Sequence, residues 1–206
     1  MVASRDGIHP VERLVFFTDA VVAIAMTLLI LPLVEAVTEA ARAGLDTAQF
    51  LVENEGPLLG FGLSFVIIAA FWRSHDRLFE HVGGQDAVLL WLNVGWMFTI
   101  VWLPVATALV GALDTDRVQL GVYIGSMLAT SLLTLAMHLW VRRRLALQQP
   151  DRPMTIRSTR ALAANSSLFA VALLLAVGFP ELGFWALLVL LADPLLARLL
   201  NRHAPS

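Results

Sequence analysis

Apolar residues in this chain come in long blocks separated by short polar connections, and each block approaches the thickness of a bilayer. From Leu14 to Val34 there are 21 residues, with Asp19 the one charge among them. At about 1.5 Å per residue this makes about 31 Å of helix, against a hydrocarbon core of about 30 Å. A second block runs from Pro57 to Trp72, with room to continue outside the bilayer as far as Phe79. The third, Ala87–Leu113, carries no charge, and Val118–Val141 and Ala161–Phe179 follow. The sixth, Leu182–Leu200, is interrupted by Asp193-Pro194, where proline kinks or restarts a helix. A lone strand cannot satisfy its backbone in lipid, so every block is read as a helix. The predicted fold is all-α: a polytopic membrane protein with six transmembrane helices in a single domain, residues 1–206. The connection Thr38–Gly56 is long for a membrane hairpin. Partial periodicity of Leu45, Ala48, Phe50, Leu51 and Val52 predicts a short surface helix there.

Composition strengthens this reading. The chain is 58% hydrophobic and 15% charged, where soluble domains carry about 25% charge. There is no cysteine, which excludes disulfides and thiolate metal sites. The first block is too long for a signal core and carries an acid, so no cleaved leader is expected. All 14 basic residues are arginine. Arg42 and Arg117 lie after blocks one and three; the other twelve lie at the N-terminus, after blocks two and four, or at the C-terminus. The positive-inside rule then puts both termini in the cytoplasm of a multi-pass cell-membrane protein. The outer connections hold eight acids against two arginines, a charge of −6. Such a mouth raises the local concentration of cations, although outer loops also avoid arginine for topological reasons alone.

Asp19 is the chemical anomaly. A carboxylate within a span costs about 2.5–3.5 kcal/mol on insertion scales. Ile24, Thr27, Leu28 and Leu31 are spaced i, i+3, i+4, i+7 and form one stripe. On an ideal helix Asp19 lies about 140° from Ile24 and about 180° from Leu28. It therefore points away from the stripe and toward neighbouring helices. Trp72, His75 and Asn93 come to a similar depth, and each carries an N–H that can donate to a carboxylate. A network joining them to Asp19 is expected, since buried charges must be paired or hydrogen-bonded. Arg13 and Phe17 share a face with Ile24. If that face lined a path for cations, arginines on it would repel them, so Arg13 either turns into a neighbouring contact or the lower helix bends.

Arg13-x-x-x-Phe17-Thr18-Asp19, with Ala23-Ile24-x-x-Thr27-Leu28-Leu29-x-Leu31 behind it, resembles the signature of the transmembrane protein 175 family of potassium channels. Phe71-Trp72-x-x-His75-x-x-x-Phe79, and Leu92-Asn93 followed by Leu103-Pro104, resemble two further family blocks. The departure is Thr18, where the family usually has serine; the hydroxyl is kept. The resemblance implies a homotetramer with four first helices lining a non-canonical pore. Ile24 would form its narrowest ring, Leu28 and Leu31 further apolar layers, and Thr27 a hydroxyl layer concerned with choosing potassium over sodium. It also implies a network around the signature and only moderate selectivity. An isoleucine ring can gate by dewetting.

Other chemistry is missing. There is no Thr-Val-Gly-Tyr-Gly filter, no arginine-every-third voltage sensor, no nucleotide-binding glycine loop and no His-Glu-x-x-His. An enzyme, a cofactor, a metal centre and a nucleic-acid partner are therefore not expected; the expected partners are lipid, potassium ions and further copies of the chain. Gly56-x-x-x-Gly60 and Gly121-x-x-x-Gly125 permit close helix approach. Arg142-Arg143-Arg144 anchors topology and could touch anionic lipid. Two other readings stay open: a proton-coupled transporter using Asp19 and His75, and a structural membrane subunit.

Overall fold

The computed structural model of the protein describes residues 10–112 and 116–179. These form α1 (Glu12–Leu28), α2 (Leu31–Ala43), α3 (Thr47–Glu53), α4 (Glu55–Phe79), α5 (Ala87–Ala112), α6 (Arg117–Arg143) and α7 (Ile156–Gly178), with a 3₁₀ turn at Leu145–Leu147. Five segments are long and apolar enough to cross a membrane: α1 with α2, then α4, α5, α6 and α7. The chain is thus an all-α membrane protein among the described residues. The expected sixth span, Leu182–Leu200, lies outside them.

The first span is not one rod. α1 ends at Leu28 and α2 begins at Leu31, with Pro32 in its first turn. Proline has no N–H for the carbonyl of Leu28, and its ring crowds that carbonyl. The Leu29 and Ile30 amides turn instead to the carbonyl of Thr27. Pro32 is tolerated because the first amides of a helix have no intrahelical partner anyway. Beyond the break α2 runs to Ala43, so much of the connection expected after Val34 is helix. It stops at Gly44, whose φ of 73° is left-handed and suits a residue without Cβ. The short helix expected near Leu45–Val52 is α3. Asp46 caps it by accepting from the Gln49 amide, while the Gln49 side chain accepts from the Asp46 amide, a reciprocal capping box.

α5 is the hub. It touches α1 and α4 as well as α6, and α6 lies along α7. In such a bundle polar side chains hydrogen-bond across helices, and here hydroxyls and an indole tie them together. Tyr123 shares a hydrogen bond with Ser64 (2.9 Å), Thr107 donates to Ser64 (2.8 Å), the Trp96 indole donates to Thr134 (3.0 Å), and Ser131 meets Ser166 (2.8 Å). At the arginine-rich end the two interhelical connections are stitched together. The Gly83 amide donates to the Leu147 carbonyl (2.8 Å) and the Gln149 amide to the His81 carbonyl (2.9 Å). A Cβ on Gly83 would stand 3.3 Å from the Gln148 carbonyl oxygen, so the close approach favours glycine. Asp86 caps α5 through the Leu89 amide and also accepts from the Trp140 indole.

Candidate functional site on the first helix

α1 has two faces of different fate. Leu14, Thr18, Val22, Ala25 and then Leu29 are buried, at steps of four, four, three and four residues. That spacing makes one stripe, and it lies against α4 and α5. On the other side Phe17, Ile24 (59% exposed), Leu28 and Leu31 (51%) are uncovered in the single chain. Arg13 is exposed on that side too. Thr27 is also exposed, and its hydroxyl donates to the Ile24 carbonyl at 2.7 Å. With its proton spent on the helix, the Thr27 oxygen offers its remaining lone pairs outward.

The buried polar residues form a directed chain. The Thr18 hydroxyl donates to the Leu14 carbonyl (2.8 Å), so it must accept from the Asn93 amide nitrogen (2.8 Å). The Asn93 carbonyl oxygen therefore faces His75 Nε2, 2.6 Å away, and that nitrogen carries the proton. Every donor in the sequence His75, Asn93, Thr18, Leu14 carbonyl points the same way. Thr18 and Asn93 are fully buried and His75 is 1% exposed. The His75 ring is sandwiched between Phe79 and Trp96, each with ring centres 4.3 Å away. Neither aromatic was singled out as a partner in the sequence. The i, i+4 spacing of His75 and Phe79 is a signal for one contact; nothing local signals the other.

Asp19 is not the centre of this chain. It is half-buried, and its carboxylate accepts from the Trp72 indole at 2.8 Å. The expected single cluster is thus two: Asp19 with Trp72, and Thr18 with Asn93 and His75. One residue step turns a helix by about 100°. That step carries Asp19 from the dry seam to its edge, where Trp72 is also partly exposed. A neutral hydroxyl in the seam costs far less than a carboxylate would. Trp72→Phe removes the indole donor and keeps the ring. We expect a loss of about 1–2 kcal/mol, the usual range for a hydrogen bond to a charged acceptor that is partly solvated. Thermal unfolding in detergent measures it; an unchanged melting temperature would show that the bond contributes nothing.

Among the described residues no three or more histidine, aspartate or glutamate side chains gather as a metal site.

The chain is similar to known proteins over the same region. Residues 13–104 match the family model described as endosomal/lysosomal potassium channel TMEM175. A Homo sapiens protein named endosomal/lysosomal proton channel TMEM175 is 29% identical over 119 residues, 58% of this chain and 23% of the human one. A protein of Chamaesiphon minutus named as a potassium channel is 29% identical over 165 residues, 78% of this chain and 81% of its own length. Another, from a Chryseobacterium species and also named as a potassium channel, is 29% identical over 99 residues, 48% of each chain. The match to the animal relatives thus spans less than a quarter of their length.

Proposed function

Because this chain belongs to the TMEM175 channel family, we propose that it is a potassium-permeable cation channel in which several copies of α1 surround one path. The carrying observation is the split of α1. Its inner stripe is used up in contacts with α4 and α5, while Ile24, Leu28 and Leu31 stand uncovered and uncharged on the opposite side. Four such stripes facing one another form an uncharged stretch of the path from Ile24 to Leu31, narrowest at Ile24, with Arg13 near the helix start outside that stretch. An ion entering the Ile24 ring sheds water against apolar walls, and potassium gives up its shell more readily than sodium. The Thr27 oxygen, one turn further along, supplies partial replacement for that water. Selectivity on this basis is moderate, since no cage of carbonyls surrounds the ion. The assembly is a homotetramer in the cell membrane, six spans per chain, with the arginine-rich connections and both termini in the cytoplasm.

Proton permeation is a second reading with its own support, because the animal relatives are named proton channels. A proton-coupled transporter is less well supported. Asp19 and His75 hydrogen-bond to different partners, so no direct relay joins them.

Purified protein in liposomes tests these readings. With potassium inside and an impermeant cation outside, we expect fast passive flux that persists when the proton gradient is collapsed, and slower flux when sodium replaces potassium. A pH-sensitive dye reports proton movement in the same vesicles. Flux that requires an imposed proton gradient would establish the transporter instead. Silence to every ion would leave a structural subunit.

A further inference from the structure

The connection from α6 to α7 holds the most concentrated positive charge in the chain. From Arg142 to Arg160 there are six arginines and one acid, Asp151. Three of the six are engaged. Arg142 donates to the Thr159 hydroxyl (3.0 Å), Arg144 lies over the Trp140 ring (4.9 Å to its centre), and Arg152 stands 3.9 Å from Glu80. Arg143, Arg157 and Arg160 are exposed and have no ion-pair partner among the described residues. The bond from Arg142 to Thr159 sets the end of α6 against the first turn of α7, so these three cations share one corner of the bundle. A second observation is apolar. Leu147 and Met154 of the same connection turn inward and are buried, whereas Leu145 (79% exposed) and Ile156 (63%) are left bare. Each bare side chain adjoins an arginine: Arg144 precedes Leu145, and Arg157 follows Ile156. Both lie within five residues of an apolar block, the one ending at Val141 or the one starting at Ala161. Trp140, whose indole donates to Asp86, stands at the same end of α6, and indoles favour the headgroup level of a bilayer.

We propose that this corner is a docking surface for anionic phospholipid, with Leu145 and Ile156 dipping into the boundary between headgroups and acyl chains and Arg143, Arg157 and Arg160 taking the phosphates. The two halves of the surface ask for one partner. A guanidinium fork matches phosphate oxygens in pairs, and bare leucine and isoleucine beside arginines suit the edge of the hydrocarbon. A free phosphate would answer the arginines and leave both apolar side chains in water. An acidic protein segment would do the same unless it also entered the bilayer edge. The connection is tied to the one between α4 and α5 through the Gly83 and Gln149 amides. A lipid held here therefore steadies both connections against unfolding. None of this depends on the channel reading.

The test is thermal unfolding of the purified full-length protein in neutral detergent, followed by tryptophan fluorescence as lipid is added. Phosphatidylglycerol should raise the melting temperature saturably, and phosphatidylcholine should not. Arg143→Gln/Arg157→Gln should shift half-saturation to about thirtyfold more phosphatidylglycerol, as for two arginines lost at an anionic surface. Without lipid that variant should melt with the parent, since neither side chain has an ion pair to lose. Leu145→Ser/Ile156→Ser should weaken the lipid effect by about tenfold. Arg73→Gln/Arg77→Gln removes the same charge from exposed positions on α4 and should leave the effect in place. A parent indifferent to phosphatidylglycerol overturns the surface, as does an equal loss in the α4 pair, which would mark attraction to net charge alone. Glycerol 3-phosphate or polyglutamate reproducing the full shift overturns the lipid assignment, the first in favour of a free anion and the second of an acidic protein partner.

Discussion

Replacing Ile24 with asparagine is expected to raise potassium flux per channel by about tenfold or more. The proposed barrier at this ring is the cost of removing water from the ion against apolar side chains. Asparagine is smaller, so the ring widens, and its amide holds water and can contact the ion directly. Lowering the barrier by about 1.4 kcal/mol suffices for a tenfold rise, and in the proposed tetramer one substitution acts at four side chains at once. The variant should also lose discrimination between potassium and sodium, since each ion then keeps more of its shell. Leu174→Asn is the matched control. Leu174 is at least as exposed as Ile24 but lies on α7, which rests against α6, so flux should be unaltered there. Single-channel conductance in a planar bilayer separates the two. An Ile24→Asn channel conducting like the parent would place Ile24 away from the ion path.

The second large effect is structural. Asn93→Leu keeps the branched shape and number of side-chain heavy atoms but removes both ends of the bridge between His75 and Thr18. The His75 N–H then has no acceptor at a position that is almost fully buried. An unsatisfied buried group costs about 1–3 kcal/mol, and two partners are affected, so a loss of about 2–6 kcal/mol is expected. For a chain of this size that corresponds to a fall of about 10 °C in melting temperature. The protein that survives should conduct with the parent's ion preference, because Asn93 lies on the opposite side of α1 from Ile24. A well-folded, fully stable Asn93→Leu would show that the bridge is not what holds α1 against α4 and α5. A changed ion preference in that protein would show that the buried seam reaches the pore.

The positions of α4 to α7 were legible because hydrophobic blocks, arginine placement and the length of a bilayer crossing are local properties. Expected and observed boundaries differ by about two residues for α4, α5 and α6 and by five at the start of α7. There, Thr155 caps the helix by accepting from the Ser158 amide, so a polar turn precedes the apolar block. The break at Leu29–Ile30 was present in the sequence as Pro32, but a proline two residues into a helix and a proline inside one look alike until the carbonyl of Leu28 is placed. The candidate site was partly legible in the same way. Angular arithmetic on α1 sets Asp19 apart from Ile24, and depth along the spans brings Trp72, His75 and Asn93 near it. Which donor meets which acceptor was not. Thr18 and Asp19 are neighbours in sequence with similar reach, and only the seam between α1, α4 and α5 gives one a dry environment and the other a wet edge.

The sequence by itself determined that this chain lives in a bilayer, that its helices cross it, and that α1 carries an uncharged stripe with a carboxylate turned away from it. Those follow from transfer free energy and helical periodicity, which need no neighbour. Tertiary structure alone decided that the stripe is left bare while the opposite face is consumed, and that His75, Asn93 and Thr18 align their donors in one direction. Each of these depends on which surfaces exclude water from which others, and that is a property of the packed helices together rather than of any one of them.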